Sequence, residues 1–476
     1  VFDDHDLTQA AWQSPSGTDS VEHLELYGMQ WMPSLLESIR DAEDDARLED
    51  LVSSVAATLT WRPDTGDRSD VVWSEGVNLR REQNLNCLYA VTGDDRLVPV
   101  LDAVATANLD PNRYYGPPQR LPHNHGLMAN LALLHTADLL SRTDLRDAAV
   151  DRLRVAIDAS FTAGGVSIEQ STEYHRENVT MWAAAAADVR SIGGADPVAL
   201  ADHIDAVLAR ARSAYQHLVA PDGVPVPFGD LQAPRTTVVP QRYTSFVDPY
   251  AGVLASRWSW SAPDDFWTLR FGPGRRMHGH FDRTSVVWWT TGRPVVVDPG
   301  TATYVASPQR TWSQSAVAHS TAVVRGATYS SRAWVGLRSF SHRVGGDIAV
   351  ISGPLYGVEQ TRRVAVDPVR NRMEVTDTAA RPVNQVWQLD ARWRLTGLNG
   401  TRTVARFADP TGAVLLVTTT GRVASVVKGA PGLSGGWTFS YPPARTTAAA
   451  RMVVTGGTTT RTTFVVTGSP LRPWTS

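Results

Sequence analysis

A chain of 476 residues exceeds the size at which one hydrophobic core stops growing, so two domains are expected. Its 42% hydrophobic and 20% charged residues exclude a largely disordered polymer, and a net charge of -3 excludes a global basic field for nucleic acid. No run of about 18 apolar residues is present, so no membrane span is expected. No signal peptide is in view, and Val1 reads as the start of a trimmed or mature chain. The single cysteine, Cys87, leaves no internal disulfide, and Lys428 is the only lysine. The 16 Trp residues suit either a hydrophobic core or platforms for sugar rings.

The first half reads as helical. Residues 127–140 carry Leu127, Met128, Leu131 and Leu134 on one broad stripe. Residues 145–160 and 178–190 are helix-like. Residues 197–219 repeat the period with Val198, Ile204, Val207, Leu208, Ala211, Tyr215 and Leu218. The segment 108–124, rich in Pro, Asn and Gly, reads as a loop. The Pro-rich stretch 219–250 reads as a link. Beyond it the texture changes to short runs of Val, Thr and Trp at 285–290, 293–298, 363–366, 371–377, 412–419, 451–455 and 462–467, an antiparallel β pattern. Helices first and strands second predict an α+β chain of two segregated domains, helical over 1–250 and β over 251–476. No Gly-rich nucleotide loop follows a strand.

Six of the twelve His fall in a few short polar segments. His123-Asn124-His125-Gly126 precedes an apolar helix. Asn124 can cap that helix, or Asn124 and His125 can present donors to an anion at its N-terminus. Residues 167–178 hold Tyr174, His175 and Arg176. They read as a solvated first helical turn, or as a phenol tuned for proton transfer by its neighbours. In a strand register His278, His280 and Asp282 share a face. Asp298 ends the next strand, and His319 precedes another. Such residues can be hydrogen-bonded strand-edge groups, or two imidazoles and a carboxylate meeting around Zn2+.

These segments, in this order, resemble the heparinase II/III-like polysaccharide lyases. The resemblance lies in Asn124-His125, Glu-Gln-Ser-Thr-Glu-Tyr-His at 169–175, His-Gly-His-Phe-Asp at 278–282, Gly-Arg-Pro-Val-Val-Val-Asp-Pro-Gly at 292–300 and Ala-His-Ser-Thr at 318–321. It implies an (α/α) toroid followed by an antiparallel β-sandwich. It also implies that Asn124 and His125 neutralise a uronate carboxylate, that Tyr174 and His278 are catalytic, and that His280, Asp298 and His319 hold a structural zinc. Arg80, Arg113, Arg120, Arg176 and His175, near these blocks, are candidates for meeting the substrate. The chain is short for the group, and its modest basic content favours a carboxylated chain such as alginate, glucuronan or hyaluronan over a densely sulfated one.

The implied reaction is β-elimination at a uronic acid. A base removes the C5 proton, the O4 glycosidic bond breaks, and donors on the carboxylate stabilise the growing charge. Either Tyr174 or His278 can be the base. A uronyl C5-epimerase would share the proton abstraction, and a non-catalytic carbohydrate-binding protein would need only the cleft. A hydrolytic zinc is disfavoured, because no Glu follows the His-x-His in a metalloprotease spacing. The implied partner is an anionic uronic-acid polysaccharide or oligosaccharide, with no nucleic acid and no membrane span. A polymer substrate places the protein outside the cell or in the periplasm, and an oligosaccharide allows the cytoplasm.

Overall fold

The computed structural model describes residues 9–13, 20–67, 69–114, 124–232, 235–261, 265–429, 435–440 and 445–468. The chain divides into two compact units, Val1–Ser160 with Thr180–Ala206, and Phe161–Val179 with Val207–Ser476. The periodicity readings hold, with earlier helix starts. The helices span Asn124–Leu139, Thr143–Ser160, Thr172–Ser191 and Ala195–His217.

In the first unit, helix Asn124–Leu139 packs against Thr143–Ser160 and Glu75–Thr92. Helix Asp45–Trp61 is capped by Asp44, whose carboxylate accepts from the Arg47 N–H at 3.0 Å. Helix Glu75–Thr92 ends where Gly93 turns left-handed at φ 59°. Val52, Val55, Leu85, Leu88, Val100, Leu101 and Val104 fill its core. One acid is buried in this unit. Glu82 accepts from Thr136 Oγ1 at 2.7 Å and from Asn108 Nδ2. Burial pushes its carboxyl up to about 7, against the hydrogen bonds from Thr136 and Asn108.

In the second unit lie two sheets. The first runs, in spatial order, Ser245–Asp248, Val253–Arg257, Phe266–Arg270, Val286–Thr290, Arg293–Val296, Val383–Leu389, Arg445–Thr455, Arg422–Lys428 and Gly436–Ser440, with Ala322–Val324 also on Val383–Leu389. The second runs Arg394–Leu398, Val404–Ala408, Val414–Thr419, Thr459–Thr467, Arg372–Ala379, Gln360–Asp367, Gly346–Gly353 and Gly336–Arg343. Pairing is antiparallel apart from a single parallel step, Lys428 to Gly436. One apolar cluster joins the inner faces of both sheets: Trp267, Val286, Trp288, Val296 and Trp387 from one, Ile351, Val364, Val375, Leu415 and Phe464 from the other. The strand Gln360–Asp367 shows how: buried and half-buried residues alternate along its length. Arg362 breaks the apolar rule on its inner face. It is fully buried and forms a two-pronged pair with Asp377 at 2.7 and 2.8 Å.

Trp12, Trp73, Trp182, Trp267, Trp288, Trp387 and Trp393 are fully buried, so these seven are core material. The Pro-rich stretch 219–250 belongs to the second unit and carries the edge strand Ser245–Asp248. The expected strand register at 278–282 does not form. Those residues are turn and loop, and the strand begins at Val286.

The buried Glu82 gives a signed prediction. Its folded pKa lies above its unfolded value, so the folded chain holds more protons between pH 4.5 and 7. Wild-type stability therefore falls relative to Glu82→Gln as pH rises through that window, by on the order of 3 kcal/mol, and the difference is flat above it. Urea unfolding of both proteins at several pH values measures it, and a pH-independent difference would contradict the assignment.

Candidate active site

The second unit gathers one polar centre from four stretches of chain: 167–178, 228–232, 278–282 and 298–319. The first is anchored where helix Thr172–Ser191 begins. Ser171 Oγ accepts from the Tyr174 N–H at 3.0 Å, as an N-cap does, and donates to the Asp230 carbonyl at 2.5 Å. Thr172 Oγ1 donates to the Val226 carbonyl at 2.6 Å. Gln170, at φ 58°, reaches across to 274–276: its Nε2 donates to the Gly274 carbonyl at 2.9 Å and its Oε1 accepts from the Arg276 N–H at 2.8 Å. These bonds place Tyr174 in the first helical turn, facing the 278–282 loop.

Tyr174 and His278 lie ring on ring, with centroids 3.3 Å apart and planes 8° from parallel. His278 stands between two carboxylates. Its Nε2 is 3.3 Å from Glu169 Oε2, and its Nδ1 is 3.4 Å from Asp230 Oδ2. Burial disfavours the imidazolium, but Asp230 and Glu169 outweigh it and raise the ring's pKa. Burial, together with the charges of Asp230, Glu169 and Glu173, pushes the Tyr174 phenol up to about 12. At neutral pH Tyr174 therefore keeps its proton.

Asp230 is the hub. Its side chain is fully buried, and it takes His280 Nε2 at 2.9 Å, Thr301 Oγ1 at 3.0 Å and both terminal nitrogens of Arg310. Its own N–H donates to the His278 carbonyl at 2.9 Å. Burial would raise this carboxyl, but hydrogen bonds from His278, His280 and Arg310 hold it well below the usual range. Gly229 is required beside it. With φ 60°, a Cβ there would run into the carbonyl oxygens of Gln170 and His278. A second acid, Glu173, accepts from the Gln232 N–H at 2.7 Å and from Tyr304 Oη at 3.3 Å, with Arg310 lying over the Tyr304 ring.

Behind this centre lie the candidate metal residues. His319 Nδ1 is 2.7 Å from Asp298 Oδ2, and the His280 and His319 rings are 5.4 Å apart. Among the described residues no three His, Cys, Asp or Glu side chains stand in a metal-ligating group. The donor chemistry nevertheless fits zinc, because His280 Nδ1 and His319 Nε2 are buried without a hydrogen-bond partner. Asp282, expected to share a face with these rings, pairs instead with Arg270 at 3.3 Å.

The other candidates fall elsewhere. His175 is buried. Its Nδ1 accepts from the Ser167 N–H at 3.2 Å and its Nε2 meets the Ala211 carbonyl at 2.9 Å, so both nitrogens serve the interior. Burial pushes it down to about 4. Arg176 pairs with Glu177. In the first unit, Asn124 begins its helix, and His125 Nδ1 is 3.2 Å from Glu75 Oε1. Arg80 donates to the Gly76 carbonyl at 2.9 Å, and Arg113 is buried against Asp64 at 2.5 Å. Arg120 lies outside the described residues. Asp230, Arg310 and Tyr304 were missed in the sequence. Asp230 follows Phe-Gly in a Pro-rich stretch and carries no motif. Glu169 and Glu173 lie inside the 169–175 block.

Gly229→Ala is expected to cost about 2–4 kcal/mol, since it combines left-handed strain with two carbonyl clashes. Thermal unfolding measures this, and a loss under 0.5 kcal/mol would refute the packing described.

Residues 268–467 match the family model described as heparinase II/III-like, C-terminal. Among solved structures, heparinase III superposes with a TM-score of 0.75 at 13% identity, covering 97% of this chain and 79% of that one. A heparinase III with methylated lysines gives 0.70 at 13%, covering 98% and 80%. A mutant heparan sulfate lyase from Pedobacter heparinus gives 0.69 at 14%, covering 97% and 79%. No curated protein matches in sequence. Residues 268–467 are therefore similar to the heparinase II/III-like C-terminal domain, and the chain shares the helical-plus-β-sandwich fold of heparinase III.

Proposed function

We propose that the protein is a polysaccharide lyase that cleaves a uronic-acid-containing chain by β-elimination. The stacked Tyr174–His278 pair, clamped by Glu169 and Asp230, is the observation that carries this reading. The heparinase II/III-like match and the heparinase III fold support it.

The reaction needs one group to take the C5 proton and one to protonate O4 as it leaves. Tyr174, whose phenol stays protonated to about 12, suits the second task. His278 suits the first, since carboxylates on both sides stabilise the imidazolium that forms when it accepts a proton. Asn124 and His125 keep the role that the family resemblance gives them, donors to the uronate carboxylate. The catalytic centre itself is crowded with acid: Glu169, Glu173 and Asp230. That density disfavours a heavily sulfated substrate and favours a merely carboxylated one, such as alginate, glucuronan or hyaluronan. His280, Asp298 and His319 would hold the zinc, which would brace the β-domain and fix the loop that carries His278. A polymer substrate places the protein outside the cytoplasm.

The test is a panel of alginate, hyaluronan, glucuronan, chondroitin and heparan sulfate, followed by ultraviolet absorbance of the conjugated double bond. Absorbance growth on a carboxylated chain is expected. New reducing ends without it would point to hydrolysis, and proton exchange without cleavage to epimerisation. Tyr174→Phe and His278→Ala should each lower turnover by about 10²–10⁴-fold, with the fold intact by circular dichroism. Unchanged rates in both would remove them from the catalytic centre.

Metal analysis of the purified protein should find about one zinc per chain, lost in His280→Ala. A metal-free, fully folded wild type would refute the zinc site.

A further inference from the structure

A centre crowded by Glu169, Glu173 and Asp230 repels an anionic chain, so the chain needs cations nearby that those acids do not neutralise. Two stretches of the second unit supply them. Residues 271–281 and 325–346 contain no Asp or Glu, yet carry Arg275, Arg276, Arg325, Arg332, Arg338 and Arg343. The stretches lie side by side. Gly272 and Val335 exchange backbone hydrogen bonds at 2.6 and 2.9 Å, and the Arg275 N–H donates to the Ser331 carbonyl at 2.7 Å. A Cβ on Gly274 would stand 2.9 Å from the Arg332 Cα, so the bare glycine lets the two backbones touch. Buried Arg283 clamps the second stretch, donating to the Ser330 carbonyl at 2.8 Å and to that of Ala333. The first stretch runs straight into His278, and Gln170 fixes it there by accepting from the Arg276 N–H at 2.8 Å.

The side chains on this rim divide into two kinds. Arg275 is committed to the protein: its Nε donates to the Gly279 carbonyl at 2.6 Å and its guanidinium covers the Phe281 ring. Arg276 and Arg332 are exposed, and among the described residues no carboxylate pairs with either. Trp334, 49% exposed, adds a large apolar surface beside them. Arg276 stands two residues before His278, which puts its Cα within about 7 Å of the Cα of His278. A polymer held at His278 therefore passes within reach of its guanidinium. We propose that these paired stretches form an accessory subsite for a neighbouring uronate of the polysaccharide chain. Arg276 and Arg332 donate to its carboxylate, and Trp334 offers its ring to a sugar face. The inference rests on the lyase reading and adds where the chain is held outside the acid-rich centre.

The probes are decasaccharides of alginate, glucuronan and hyaluronan, with maltodecaose as the uncharged counterpart, titrated calorimetrically into the full chain carrying Tyr174→Phe so that cleavage does not intervene. The best-bound carboxylated probe is expected to lose about fivefold in affinity with Arg276→Gln, Arg332→Gln or Trp334→Ala, and the two arginine losses should shrink as salt rises. Maltodecaose should bind at least about tenfold more weakly. Arg154→Gln removes the same charge from the first unit and should leave affinity unaltered; unchanged melting temperatures show that each variant is folded. If a carboxylated chain is bound, and cleaved by the wild type, yet Arg276→Gln and Arg332→Gln bind it as tightly as their parent, the subsite is refuted while the lyase reading stands. An equal loss in Arg154→Gln would also refute it, since the effect would be one of overall charge. Tighter binding of a heparan sulfate decasaccharide through the same two arginines would overturn the carboxylate assignment. If no carboxylated chain is either bound or cleaved, the lyase reading falls and the subsite with it.

Discussion

The carboxylate of Asp230 holds the polar centre together. A fully buried charge is tolerated only when nearly every lone pair is taken, and here His278, His280, Thr301 and Arg310 take them. One carboxylate thereby ties the 278–282 loop, the stretch after Asp298 and the short helix that bears Arg310 to a single point. The arrangement is mutually dependent: no partner can leave without exposing an uncompensated charge in the interior. That explains how two loops without regular structure can hold an aromatic ring to its stacking partner.

The hub also sets the character of the site. Placing carboxylates beside His278 makes its ring more basic, and the same charges keep the Tyr174 phenol neutral. One set of acids thus favours the proton on both adjacent rings, the imidazolium of His278 and the neutral phenol of Tyr174. The proposed β-elimination would use the pair to break a C–H bond and a C–O bond in one substrate. It also sets a limit, because a centre dense in carboxylates repels further anionic groups near it.

The β-sandwich provides the rigidity behind this. Its inner faces are closed by large rings such as Trp267, Trp288 and Trp387, and the buried Arg362–Asp377 pair fixes two neighbouring strands in register. The strands Val286–Thr290 and Arg293–Val296, both buried throughout, follow directly on the loop that carries His278 and His280. The site is therefore a set of loops mounted on a core that does not yield, the usual division between scaffold and chemistry.

Much of this was legible in the sequence, for local reasons. Helical periodicity at 127–140 and 197–219, and short Val- and Thr-rich runs after residue 250, are patterns that neighbouring residues alone produce, and the helices and strands lie where they point. Tyr174 and His278 stood in compact polar blocks, and so did the acids at 169 and 173. Asp230, Arg310 and Tyr304 did not, and nothing around Asp230 marks it. Its role exists only because His278, 48 residues away, and Arg310, 80 residues away, meet it in space. His175 shows the reverse: a residue inside a functional-looking motif turns its nitrogens inward to Ser167 and Ala211, because the helix points it away from Tyr174. The sequence by itself determined the elements, their order and the residue types able to transfer protons. Tertiary structure alone decided which of those residues share a buried charge, since electrostatic partners are chosen by distance in space and not by distance along the chain.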